Sequence, residues 1–463
     1  MLRPGLLLIP FLLTGCAAFT IGRPSPAARV DTAAAFIEAD SHHSGRIATG
    51  WLREFNDPRM TALVREAIRK NNNLRATAKR LRATREGTIV GGAARLPSIN
   101  AGTAYSRTYD GLGPGPGVTS ESYSLSLNAS WEADLWGRLR DLDEATYADY
   151  VAAVADYRGA RLSLAANTAR SWINLITAQQ QLDLAEQTLA NFKRSLSIID
   201  RRYRSNLLRP VDVQFGRNNV ASAERSLRIR TTDRNEAARS LELLLGRYPA
   251  AAVESSSTLP TLQRRVPVGL PAGLVARRPD LTAARYDLLA SAKRADADRK
   301  DLLPSLVLTG SSRNASDAFR RAIDPAYLAW SAAASLAQTV YAGGAPSARA
   351  RAALARNRAE IHDYAQAVLI AFREVESALE SDDSLREQEV FLLREVEQAT
   401  LAERQSERDL AMGIEGSTVL EILEAQRRAV NARAALIRLR NDRLQNRIDL
   451  HLALGGDFDT LAK

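Results

Sequence analysis

Near its C-terminal end the chain reads VLEILEAQ, and two of its carboxylates, Glu421 and Glu424, stand three residues apart in a stretch with helical spacing. On a helix they project about 60° apart, while Leu423 points well away from both. Two further residues belong with them: Leu420, one turn before Glu424, and Asp212, their counterpart in the first half of the chain. Carboxylates so placed either charge a solvated helix face or, where identical helices ring an axis, stack into acidic rings that attract cations and repel one another. No bond-breaking chemistry accompanies them. The sequence has no Gly-x-Ser-x-Gly elbow and no phosphate-loop lysine, and its one cysteine leaves none for a zinc site. YAGGAPS is Gly-rich but lacks a lysine, and reads as a strand-to-helix turn with Pro346 near the helix start. The four histidines are an adjacent pair, His42 and His43, and two isolated helical positions, of which His451 reads as a packed, hydrogen-bonded residue. No metal site, no other cofactor and no enzymatic activity are expected.

The single cysteine is Cys16. A positive start at Arg3, an apolar run over residues 5–13 and then Leu13-Thr14-Gly15-Cys16 describe an export signal over residues 1–15. The run is too short for a helix crossing about 30 Å of hydrocarbon. Leu-Thr-Gly-Cys resembles a bacterial lipobox, in which the cysteine is lipidated and becomes the new N-terminus; the alternative is an export signal with an incidental cysteine. Lipid chains on Cys16 would anchor the segment 16–57 to a bilayer. Ala17 stands where an Asp would hold a lipoprotein at the inner membrane, so the resemblance implies the outer membrane. Past Cys16 no apolar run is long enough for a transmembrane helix, so any crossing must be made by β-strands.

The length of 463 residues, 45% hydrophobic and 25% charged, suits a folded chain of two or more domains. A net charge of +10 could suit nucleic acid, but the basic residues, all but six of them Arg, are interleaved with Asp and Glu along amphipathic stretches. No nucleic-acid partner is expected, because a basic balance alone is a weak signal.

The chain is written twice. NNNLRATAKRLRAT answers to RRPDLTAARYDLLAS, RLPSI to LLPSL, ADLWGR to TVYAGG, RYRSNLLRPVDV to RDLAMGIEGSTV, and LLLGR to LALGG. Every landmark recurs after about 205–209 residues, the mark of a repeat. The repeats span 58–248 and 272–456, joined by a Pro/Ser-rich linker at 249–271 and followed by a tail at 457–463.

Each repeat has the same order. A helical stretch leads through Leu-Pro-Ser to a strand, with strands expected at about 96–108, 122–135, 303–313 and 327–341. In YSLSLNASWEADL, Tyr123, Leu125, Leu127, Ala129, Trp131 and Ala133 alternate with polar residues, and Trp330 stands in the matching segment. One apolar and one polar face fit a soluble antiparallel hairpin or a membrane barrel. Strand lengths near the 9–11 residues that cross a bilayer, the lipobox, and Tyr123, Trp131 and Trp330 as interface aromatics favour the barrel. Each hairpin precedes a helical stretch, 138–204 or 345–411, long enough to extend about 100 Å. Spacing by three and four at Leu182, Ala185, Leu189, Phe192, Leu196, Ile199 and Tyr203, and by seven at Val213, Val220 and Leu227 and at Leu423, Val430, Ile437 and Leu444, predicts coiled-coil seams. The helices turn at 205–211 and 413–417 and return as antiparallel partners. Four strands cannot cross a membrane alone, because their edges would lie unpaired in lipid. Two chains would give a barrel too narrow for a lumen, whereas three give twelve strands and a channel.

In RRPDLTAARYDLLAS, LLPSLVLTG, WEADLWGRLR, VLIAFREVESAL, VLEILEAQRRAVNAR and LHLALGG the sequence resembles the TolC-like outer-membrane efflux family, in its lipoprotein branch of the NodT and OprM kind. The resemblance covers nearly all of the chain after Cys16. It implies an internally duplicated α+β membrane protein: a trimeric twelve-stranded outer-membrane β-barrel, four strands per chain, continuous with a long α-helical coiled-coil periplasmic tunnel. Implied with it are a passive exit duct for small molecules such as drugs, homotrimeric assembly in outer-membrane lipid, and a periplasmic adaptor and inner-membrane pump as partners. The resemblance places Glu421, Glu424, Leu420 and Asp212 at the periplasmic constriction. The turns carrying Asn206, Leu207, Gly413, Ile414 and Gly416 are the natural adaptor contacts, at the free end of the tunnel. The interval from Gly413 to Glu424 is about two residues longer than the family's usual turn, which leaves the helix phase at the tip open. A lipid-anchored periplasmic adaptor or coiled-coil scaffold without a pore is the competing reading; its members carry a lipoyl-like β-domain and usually one helical hairpin, not two.

Overall fold

The computed structural model describes residues 21–28, 30, 35–38, 50–111, 116–262, 265–268, 271–414 and 418–458. Cys16, the export signal, His42, His43 and Gly416 lie outside the described residues. In chain order the elements are α1 (Pro58–Lys70), α2 (Asn72–Ala93), β1 (Ser98–Asp110), β2 (Val118–Ala133), α3 (Arg138–Arg204) and α4 (Pro210–Leu244). Then come α5 (Pro271–Arg277), α6 (Pro279–Lys300), β3 (Ser305–Ser316), α7 (Phe319–Ala322), β4 (Ala329–Ala337), α8 (Ala345–Met412) and α9 (Val419–Ala453). The sequence of helices, two strands, a very long helix and a return helix occurs twice. Among the described residues no helix is long and apolar enough to cross a membrane. The compact units are not the two repeats: one takes Met1–Val30, Arg80–Ala155 and Ala283–Ala367, the other Asp31–Lys79, Asp156–Thr282 and Val368–Lys463. Each draws on both halves of the sequence.

The first unit holds a single antiparallel sheet in the order β1-β2-β3-β4. The hairpins form as the alternation predicts, and β2 and β3 then join them side by side. β2 begins earlier than the expected 122, at Val118, and β4 stops short of the expected 341, at Ala337. The register decides which residues share a face. Tyr105 pairs with Tyr123, Ala129 with Gly310, Trp131 with Leu308, and Ser312 with Trp330. Since alternate residues face the same way, one face collects Ile99, Tyr105, Tyr123, Leu125, Leu127, Trp131, Leu306, Leu308, Trp330 and Leu336. The opposite face collects Asn100, Thr108, the β2 series Ser120 to Ser130, Glu132, Thr309, Ser311, Arg313 and Ser331. The apolar face is open to the surroundings: Trp330 is 76% exposed and Ile99 66%.

The helix ends in this unit approach closely through small residues. Ala152, Ala155 and Ala283 are buried together beside Tyr286, and a Cβ at Gly91 would stand 2.5 Å from the Thr146 hydroxyl. Buried Asp141 is neutralised by Lys300 and by Lys293, the latter also held 2.5 Å from Glu144. Ser25 is paired to buried Asn357 like a neighbouring strand: its N–H donates to Oδ1 at 2.8 Å and its carbonyl accepts from Nδ2 at 3.0 Å.

The second unit has its core where α1 meets α3, α4 and α9, around Trp51, Phe55, Met60, Trp172, Ile176, Leu241 and Ile448. Asp57 serves two elements at once. Its Oδ1 caps α1 through the Met60 N–H at 2.9 Å, and its Oδ2 accepts the Trp172 indole N–H at 2.7 Å. His451 is fully buried, stacked on Trp51 with ring centroids 5.7 Å apart and 3.0 Å from Glu54 Oε2, the packed and hydrogen-bonded role expected of it. The linker after α4 is held to the core and not loose. Glu242, 2% exposed, accepts from the backbone N–H groups of Ala251, Ala252 and Val253, and Arg234 donates to the carbonyls of Ala251 and Val253.

The coiled-coil seams follow the heptad expectation in part: Ala185, Ile199, Val213 and Leu444 are buried. Buried outside the predicted stripes are Leu184 and Ser195 of α3 and Ile422, Gln426, Ala429 and Ala432 of α9. The larger apolar residues that define the heptads, Leu189, Phe192, Leu423 and Val430, are half-buried beside them. Alanine, serine and glutamine carry little hydropathy signal, which is why the heptad pattern passes over them. Gln426 donates to Ser195 Oγ and Glu407 Oε1, both at 2.8 Å, which satisfies part of this polar seam.

Candidate functional site

The four predicted constriction residues all lie in the first turns of the two return helices, within the second unit. The turns leading there are built alike. α3 ends with Asn206 in the left-handed region (φ 56°), and α8 with Gly413 likewise (φ 74°). The next residue sends its N–H back five positions, Leu207 to the Arg202 carbonyl at 3.0 Å and Ile414 to the Asp409 carbonyl at 3.1 Å. These are Schellman endings, which satisfy carbonyls that the helix would otherwise leave bare. Asn and Gly are the residues that tolerate positive φ at lowest cost. Arg202 ties the two endings together by donating to the Leu410 carbonyl. Beneath them Ile199, Val213, Leu410, Val419 and Ile422 form a small core.

Each return helix then opens with a carboxylate at its third position. Glu421 Oε2 accepts the Thr418 N–H at 3.1 Å while Thr418 Oγ1 accepts the Glu421 N–H at 3.2 Å. This is a capping box, and it satisfies two amides at the positive end of the helix. Asp212 has half of the same arrangement. Its Oδ2 accepts the Arg209 N–H at 3.0 Å, and the Arg209 guanidinium lies 3.4 Å away. Asp212 is 7% exposed. Within the chain it is therefore a buried capping residue and presents no free carboxylate, a difference from the expectation for it.

Glu424 lies one turn further on. It accepts from Arg427 at 2.8 and 2.9 Å and from Arg428 at 2.7 Å. The bond from Arg428, followed by that from Arg427, holds its carboxyl below the usual carboxylate range. Leu420 is 66% exposed. Together with Phe192, Phe215, Leu423, Glu424 and Arg427 it lines a groove of about 460 Å³ between α3, α4 and α9. The structure thus brings Leu420 and Glu424 to one surface, and assigns Glu421 and Asp212 to the helix caps. Arg427 and Arg428 were not anticipated, although Glu-x-x-Arg-Arg on a helix is a sequence signal for i, i+3 and i, i+4 pairing. The Thr418-x-x-Glu421 capping box was equally readable.

Of the expected adaptor-contact residues, Leu207 is 62% and Ile414 48% exposed. On the sheet, Trp131 donates its indole N–H to the Arg95 carbonyl at 2.9 Å, and Tyr123 packs between Tyr105 and Phe319. Among the described residues no group of three or more His, Cys, Asp or Glu side chains could hold a metal ion.

Comparison with known proteins fits this arrangement. The family described as outer membrane efflux protein matches the chain twice, over residues 63–247 and 270–456. The cation efflux system protein CusC of Escherichia coli O6:H1 is 29% identical over 415 residues, 88% of this chain and 88% of CusC. The probable outer membrane lipoprotein SilC of Salmonella typhimurium is 27% identical over 417 residues, 89% of this chain and 88% of SilC. Among solved structures the outer-membrane channel OprN superposes with a TM-score of 0.85 at 26% identity, covering 95% of this chain and 99% of OprN. The pore-less adaptor reading is set aside by these matches. The chain belongs to the outer membrane efflux protein family.

Proposed function

We infer that this outer-membrane efflux channel works as one third of a passive exit duct. Three chains would contribute four strands each to a twelve-stranded barrel, and their helices would form a periplasmic tunnel that receives small molecules from an adaptor and an inner-membrane pump. The twofold family match supports an internally duplicated chain. The observation that carries the reading is the two-faced sheet with open edges. β1 and β4 pair on one side only, and backbone groups at such edges cannot be left unpaired in lipid. Tyr123 and Trp131 are eight residues apart on the apolar face, about 27 Å along a strand and about 20 Å along the membrane normal at a 40° tilt. Between their levels the face carries no charge. That approaches the height, about 25 Å, of a lipid belt flanked by aromatic rings.

At the other end, Leu420, Glu424 and Arg427 would ring the periplasmic constriction, with Glu421 and Asp212 fixing the helix starts on which they stand. The exposed apolar residues Leu207 and Ile414, on rigid Schellman turns, fit an adaptor contact. Lipid on Cys16 would anchor the strap that Asn357 holds at Ser25. Single-channel recording of the purified protein in planar bilayers tests the duct. Discrete conductance steps are expected, and folded protein that gives none overturns the reading.

A further inference from the structure

The β3–β4 connection does not stand clear of the sheet. Phe319 of α7 packs edge-on against Tyr123 at 5.9 Å, Ala322 is buried, and the Asn314 side-chain amide donates to the Asp324 carbonyl at 2.7 Å. Tyr123 and Asn314 both belong to the apolar face, so this connection is folded down onto the side of the sheet assigned to lipid. It sits level with the Tyr105–Tyr123 pair, at the end of the sheet opposite the starts of the long helices α3 and α8.

The first charges on that face appear one step further out, at Arg107 and Glu121, 3.6 Å apart. The connection itself adds Arg320 and Arg321 beside exposed Phe319 and Ile323. Arg321 is paired with Asp317 at 3.0 Å, while Arg320 has no ion-pair partner among the described residues. Apolar and aromatic side chains with arginines just beyond them match the boundary between acyl chains and phosphates.

We propose that this rim, formed by Arg107, Arg320, Arg321 and Phe319 around the Tyr105–Tyr123 pair, binds the phosphates of a glycolipid in the outer leaflet. The inference rests on the lipid-belt reading of the apolar face. Its occupant follows from continuity with that belt and from charge: guanidinium groups pair with phosphate in a bidentate fashion, and the aromatic rings cover the first methylenes.

The test adds diphosphoryl lipid A, or the same glycolipid stripped of its phosphates, to the full-length protein in detergent and counts bound lipid by native mass spectrometry. Wild-type protein is expected to retain the diphosphoryl form preferentially. The Arg107→Gln, Arg320→Gln double variant should bind it roughly thirty-fold more weakly, about fivefold for each arginine near a lipid surface. Arg320→Lys, which keeps the charge but loses the bidentate fork, should bind between the wild type and Arg320→Gln. Equal retention of both lipids by the wild type overturns the proposal without recourse to any variant, and so does a well-folded double variant that binds as the wild type does. Quenching of Trp330 fluorescence by lipids brominated on their acyl chains, assigned with Trp330→Phe, separates the two readings. Quenching without phosphate preference refutes the rim site alone, whereas no quenching refutes the belt on which it rests.

Discussion

Replacing Glu424 by Gln removes one carboxylate per chain and leaves Arg427 and Arg428 without their shared partner. If Glu424 lines a threefold constriction, three negative charges disappear from one ring. At about 8 Å from the axis each is worth about 0.5 kcal/mol to a passing monovalent ion at the dielectric constant of water, so the ring is worth about 1.5 kcal/mol unscreened. A Debye length of about 8 Å at 0.15 M salt reduces that to about 0.6 kcal/mol, near threefold in local ion concentration. Cations lose and anions gain by that factor, so the cation-to-anion permeability ratio should fall roughly tenfold, and further at 0.01 M salt. In the wild type two arginines offset Glu421 and Glu424, so selectivity should be weak, not strongly cationic. The assay is the reversal potential of reconstituted channels across a salt gradient. Arg427→Gln with Arg428→Gln should move it in the opposite direction. If both sets of variants conduct normally and leave the reversal potential unchanged, this helix face lies outside the conduction path and the constriction is misplaced.

Three further outcomes follow from the packing. Thr418→Ala and Glu421→Ala should each cost about 1 kcal/mol of stability, and their combination less than the sum because they break one capping box; thermal unfolding measures it. Trp172→Ala should cost about 3–5 kcal/mol, since a fully buried ring is lost and Asp57 Oδ2 forfeits its donor, which denaturant unfolding would show. Glu66, bonded to Arg247 at 2.6 and 3.0 Å, has its carboxyl lowered to about 2 from 4.5. A lowered carboxyl stabilises the fold above its unfolded value and loses that contribution as pH falls from about 4.5 to 2. Unfolding monitored across that window should therefore show a smaller acid-induced loss in Glu66→Gln than in the wild type.

Much of this protein is legible in its one-dimensional pattern. The period-two alternation from Tyr123 to Ala133 marks a two-faced strand, because pleating leaves no other way to separate apolar from polar residues. The recurrence of Leu-Pro-Ser and of the return-helix starts makes the two halves visible, and the unbroken helical spacing gives the long helices. Local chemistry does this work, so sequence suffices. What sequence left open depends on which of several similar faces meets which. The heptad at Leu423, Val430, Ile437 and Leu444 located buried Leu444, but beside Leu423 and Val430 the buried positions are Ala429, Ala432 and Gln426, whose small or polar side chains give little hydropathy signal. Asp212 and Glu421 read as free carboxylates until the turns placed them at helix starts, where bare N–H groups claim them. The joint at 249–271 shows in the sequence only as a Pro/Ser-rich linker, and its attachment to the core comes from Glu242, which gathers three of its amides because a buried carboxylate must find donors. The sequence by itself therefore determined the elements, their order and their two-sidedness. Only the tertiary structure decided which faces pack and which charges are spent on holding the fold, since those choices rest on distances between residues far apart in the chain.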